Sequence, residues 1–138
     1  MLVRSCKVVL VAVMALFYAM AAFGNLTDYE ANYTFVQHVM SMDTAPADSS
    51  LVWRAIPQPI FHTIAFWLII FWQIATAAVL LLAAVGLWGE RDNGVAFQQA
   101  KGLATAGLTA GLVLYLLGFM IIAGEWFAMW QSETWNAQ

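Results

Sequence analysis

The side chains of this chain that could hold a metal, relay a proton or brace a fold are few. There are two histidines, eight Asp and Glu, and five Lys and Arg among 138 residues. Five of these groups gather toward one membrane face when the apolar runs are read as spans. His38, Asp43 and Arg54 lie in a polar stretch, His62 begins one long apolar run and Glu125 ends another. His38, His62 and Glu125 have the donor types that suit zinc or iron, yet no HExxH-type spacing supports a metal site. Bis-histidine haem ligation would need both rings opposed inside a bundle, whereas His38 falls on a loop helix. A quinone pocket lined by aromatics, with His62 or Glu125 as hydrogen-bond partner, is physically acceptable. No Ser/His/Asp arrangement for nucleophilic catalysis is recognisable. The sequence therefore assigns no catalytic residue, metal ligand or cofactor. It leaves Glu125, His62, His38, Arg54 and Asp43 as a candidate functional cluster, in which Glu125 is expected to pair with Arg54 or His62 and pin the loop.

The elements that must position this cluster follow from composition. The chain is 63% hydrophobic and 9% charged, with mean hydropathy +0.77, against about 45–50% and about 25% for an average soluble domain. That difference marks an integral membrane protein. A span needs about 20 apolar residues, and three runs approach or exceed this. The expectation is an all-α membrane protein, with three transmembrane helices in a small bundle and one or two short amphipathic helices in the outer loop. As a single domain over residues 1–138, its spans are placed at about 6–24, 60–88 and 102–125, its outer loop at 25–59 and its connection at 89–101.

The third run is the most informative. At about 100° per residue, Gly107 lies directly under Glu125, and Gly111 and Gly118 fall within about 40° of that line. Small residues let another helix approach closely, and Gly107 with Gly111 forms a GxxxG pair. Glu125 is therefore expected on the packing side. In the second run Gln73 lies about 20° from His62 on one face, and a polar amide at that depth turns toward protein. In the polar stretch, Thr27 and Glu30 have capping-box spacing, and Phe35, Val36, Val39 and Met40 predict a short helix near 28–42. A second short helix is expected over Leu51–Ile56. Asp92-Asn93-Gly94 reads as a turn. Residues 1–24 have two readings: a retained span, or a cleaved signal peptide with a basic start and small-residue cleavage sites.

Arg4 and Lys7 precede the first span, and Arg91 and Lys101 lie in the second connection; the outer loop holds only Arg54. By the positive-inside rule the N-terminus is cytoplasmic and the C-terminus lies outside. Scattered cations give no nucleic-acid patch, and the single Cys6 excludes an intramolecular disulfide. The expected partners are the lipid bilayer and other membrane proteins or a second copy of the chain.

Several blocks carry a resemblance: Asn25-Leu26-Thr27-Asp28-Tyr29, the run from Phe35 to Asp43, Trp53-Arg54-Ala55-Ile56, Ala100-Lys101-Gly102-Leu103 and the run from Gly124 to Ser132. They resemble a bacterial family of predicted small integral membrane proteins of uncharacterised function, over nearly the whole chain. The resemblance implies an inner-membrane protein of about this length whose residues 1–24 are kept as a helix. It supplies no activity, cofactor or catalytic residue. The leading expectation is a structural or accessory subunit of a membrane complex, and the runner-up is a quinone- or metal-associated redox or enzyme subunit.

Overall fold

An apolar run placed in hydrocarbon must satisfy its backbone internally, and a helix does so within one segment. Each of the three runs forms one in the computed structural model, which describes residues 1–136. Helix α1 covers Leu2–Thr27, α2 Tyr29–Ser41, α3 Pro59–Gly89 and α4 Gly94–Leu112, and α4 continues as a π-helix over Val113–Trp126. The helices Leu2–Thr27, Pro59–Gly89 and Gly94–Trp126 are each long and apolar enough to cross a membrane. Short 3₁₀ turns cover Val52–Arg54 and Met129–Gln131, and no strand occurs among the described residues. The short helix read near 28–42 is α2. The one read over Leu51–Ile56 is reduced to the 3₁₀ turn.

The chain divides into two compact units. The first comprises Met1–Phe23 and Phe71–Leu112. Here α1 buries Val8, Val11, Ala15 and Tyr18, one stripe at helical spacing. Leu80, Ala83, Ala84 and Leu87 of α3 are buried, as are Phe97 and Ala104 of α4. Two glycines set the closest approaches. A Cβ on Gly107 would stand 2.7 Å from Leu80 Cδ2, and one on Gly111 would fall onto the Tyr18 ring. Gln73 and Thr76 are buried in this unit, and Trp72 Nε1 donates to the Ala110 carbonyl at 2.9 Å. The stretch read as a turn closes one, the Asn93 N–H donating to the Glu90 carbonyl at 3.1 Å, and it leads directly into a helix start. The Asn93 side-chain oxygen accepts from the N–H groups of Val95 and Ala96 at 3.1 and 3.2 Å. This is an N-cap, so the helix begins at Gly94 rather than near 102.

The second unit comprises Gly24–Ile70 and the chain from Val113 onward. Phe66 of α3 is almost fully buried, with Tyr29 and Tyr33 of α2 against it at ring distances of 5.0 and 6.0 Å. Phe35 stacks on Phe119 at 6.3 Å. A buried cluster of Val39, Met42, Phe127, Ala128 and Met129 joins the end of α2 to the tail. Gly118 meets only Leu114, one turn away on its own helix, at 3.8 Å. It makes no close helix contact of the kind seen at Gly107 and Gly111.

Candidate functional site

The loop and tail of the second unit are shaped first by two backbone reversals. Helix α2 ends at Met42, whose φ of 51° is left-handed and whose N–H donates to the Val39 carbonyl. The capping box does not form. Asp28 occupies the N-cap without a side-chain bond, and the Thr27 hydroxyl donates to the Gly24 carbonyl at 3.4 Å instead. Helix α1 runs on to Thr27, so that residue belongs to the previous helix rather than to the start of α2. The second reversal is at Ala128, φ 47°, and it folds Phe127, Ala128 and Met129 into the buried cluster.

The turn at Met42 brings Asp43 back onto α2. His38 Nδ1 donates to the Asp43 carboxylate at 2.7 Å, and Trp135 stacks on the same imidazole with centroids 4.5 Å apart and planes 10° from parallel. The tail is tied at two more points: Thr44 and Ser132 share a hydroxyl hydrogen bond of 2.7 Å, and the Ser49 hydroxyl donates to Gln131 Oε1 at 2.7 Å. Ser132 Oγ also accepts from the Trp135 N–H at 2.8 Å. These partners escaped sequence reasoning because long-range hydroxyl pairs leave no periodic signal.

Arg54 lies at the end of the π-helix. Its Nη1 donates to the carbonyls of Glu125 and Trp126 at 3.2 and 3.4 Å. The guanidinium lies 5.1 Å from the Trp126 ring and 5.4 Å from the Trp53 ring. A cation at a helix C-terminus satisfies free carbonyls and complements the helix dipole. The expected pair between Arg54 and the Glu125 carboxylate is thus replaced by a bond to the Glu125 backbone. Glu125 is exposed and Gly124 is buried. Among the described residues the Glu125 carboxylate enters no ion pair, with His62 or any other cation. The physical reason is the change of helix type. From Val113 the backbone bonds run to the fifth residue, as from the Phe127 N–H to the Ile122 carbonyl at 3.0 Å. Each π-helical residue turns roughly 15° less than the α-helical 100°, so a face projected on α geometry is lost by residue 125.

His62 is 1% exposed. Its Nε2 is 2.6 Å from the Ile56 carbonyl, and because a carbonyl only accepts, Nε2 carries the proton. The Ile56 N–H in turn donates to the Met40 carbonyl at 2.8 Å, so His62 steadies the strap between loop and α2. His62 Nδ1 and Arg54 Nε are buried without a hydrogen-bond partner. The five candidate residues therefore do not converge. His38 and Asp43 form one pair, Arg54 caps a helix end, His62 holds the strap and the Glu125 side chain faces outward. Among the described residues no three His, Cys, Asp or Glu groups stand close enough to share a metal.

Comparison with known proteins agrees with this architecture. No curated protein and no solved structure matches the chain. The family described as predicted small integral membrane protein (DUF2165) matches residues 3–138. With its three membrane-length apolar helices, the chain belongs to this family of predicted small integral membrane proteins.

Proposed function

We propose that the protein is a non-catalytic structural or accessory subunit of a membrane complex, seated in a bacterial inner membrane with a cytoplasmic N-terminus and a periplasmic C-terminus. One observation carries the reading: polar side chains of the outer loop are engaged in holding the fold. His38 is spent on Asp43 and Trp135, Arg54 on the helix-end carbonyls and His62 on Ile56. The membrane-length helices leave much apolar surface exposed. The apolar window of Gly94–Trp126 is only 11% buried, against 28% and 33% in the other two membrane-length helices. Lipid covers such a surface, and so does another membrane helix. The tested expectation is co-purification: mild solubilisation from native membranes should recover a stoichiometric membrane partner by mass spectrometry. Recovery of the chain alone, with activity in isolation, would contradict it.

The orientation rests on the distribution of Lys and Arg. A reporter that works only outside the cytoplasm, fused after Gln138, should be active; an inactive one beside an active cytoplasmic reporter removes the assignment. Retention of α1 is supported by the seat of Tyr18 over Gly111, since cleavage near residue 24 would strip that contact. A mature protein that keeps residues 2–24, rather than one that starts near residue 25, is the expected result.

A second reading has its own observation. With Nε2 protonated, Nδ1 of a neutral His62 ring is a buried acceptor with no hydrogen-bond partner, which suits a quinol hydroxyl or a metal. Extractable quinone or bound metal in the purified protein, lost in His62→Phe, would favour it.

A further inference from the structure

We infer that Trp53, Arg54 and Trp126 form an interfacial anchor, two indole rings and a guanidinium that seat the loop in the phosphate and ester layer of the surrounding bilayer. The three side chains are in contact within the second unit. The Trp53 and Trp126 rings meet edge to face with centroids 5.8 Å apart, and the Arg54 guanidinium lies 5.4 and 5.1 Å from them. Its Nη1 is fixed by the Glu125 and Trp126 carbonyls, so the group is held at the end of the π-helix Val113–Trp126. A cluster that served only the core would be covered. Here Trp53 is 72% exposed and Trp126 46% exposed, beside an exposed Val52. The cluster is assembled, yet it faces outward.

Its place in the fold names the occupant. Trp126 is the last residue of the membrane-length helix Gly94–Trp126. Ile121 and Ile122, about one turn earlier, are exposed. The apolar surface that lipid covers therefore continues into the aromatic cluster. At the end of a span hydrocarbon gives way to headgroups, and an indole with its apolar ring and single N–H suits that layer. Arg54 supplies the matching charge. Among the described residues no carboxylate pairs with it, and a guanidinium whose Nη1 is engaged still has donors in the geometry phosphate accepts. An exposed apolar patch with a polar rim marks contact with a protein or a membrane. Continuity with the lipid-covered helix and the unpaired cation favour the membrane.

The test uses the full chain in phosphatidylglycerol vesicles carrying a nitroxide either near the headgroup or near the acyl-chain end. Emission from residue 53 is read as the difference between each protein and its Trp53→Phe counterpart, a change at an exposed ring. The headgroup nitroxide should quench that emission more than the chain-end one, and aqueous acrylamide should quench it less than free tryptophan. Arg54→Gln should lose much of the headgroup quenching, whereas Arg54→Lys, which keeps a cation for phosphate, should retain it. Quenching by acrylamide as for free tryptophan, with neither lipid label effective, leaves the turn in water or for a protein partner and overturns the anchor. Stronger quenching by the chain-end label overturns the interfacial depth. Headgroup quenching unchanged in Arg54→Gln, or lost equally in Arg54→Lys, overturns the phosphate contact.

Discussion

In the first unit helices meet where a side chain is missing, at Gly107 under Leu80 and at Gly111 under Tyr18. In the second, segments meet where a polar or aromatic side chain reaches across: Arg54 to helix-end carbonyls, Trp135 onto His38, Thr44 to Ser132. The contrast follows from the medium each contact must tolerate. Between apolar helices in lipid, hydrophobic driving force is absent and close backbone approach supplies the packing. At the interface, a loop carries unsatisfied backbone groups, and amphipathic Trp and Arg with hydroxyls can answer them.

The largest effect should come from filling a gap in the first unit. Gly111→Leu places its side chain on the buried Tyr18 ring, and overpacking of this kind costs about 1–3 kcal/mol. Thermal unfolding in detergent reads it. Gly118→Leu, where only Leu114 of the same helix is near, should stay within about 0.5 kcal/mol of the parent. Equal losses at both glycines would erase the distinction between the units.

A smaller loss is expected from Arg54→Gln, which withdraws the charge from the Glu125 and Trp126 carbonyls. About 1 kcal/mol is the scale for a cation at a helix end, and Arg54→Lys should restore part of it. Glu125→Gln should change stability less than Arg54→Gln, because Arg54 bonds the backbone of residue 125. The reverse ranking would return the carboxylate to the role first expected of it.

The smallest effect concerns His38 and Asp43, whose side chains are 29% and 46% exposed. In a double-mutant cycle of His38→Gln and Asp43→Asn their coupling should lie below about 1 kcal/mol and shrink further in salt. A salt-independent coupling above that would mark a pair far more desolvated than the contact implies.

The same contrast explains what the sequence could reveal. Three helices, α2 and the close approaches at Gly107 and Gly111 were legible because apolar periodicity and small-residue spacing report directly on α-helical faces. Glu125 was misplaced because the projection assumed one turn angle throughout, and the π-helix from Val113 changes it. The tie of Trp135 to His38 was not legible, since it depends on a left-handed Ala128 that no propensity favours. Tyr18 carried a readable signal: it is the one tyrosine within the first apolar run, and a phenol there needs protein around its hydroxyl.

The most direct test of this account is backbone hydrogen exchange on the full chain and on Arg54→Gln. If the polar side chains of the second unit hold its loop and tail in place, the amides of Phe127, Gln131 and Ser132, which bond to the carbonyls of Ile122, Ala128 and Met129, should be protected in the parent. They should lose protection in Arg54→Gln, while the amides of α4 around Gly107 and Gly111 keep theirs. Unchanged protection of those tail amides in Arg54→Gln would contradict the claim that this arginine is spent on the fold.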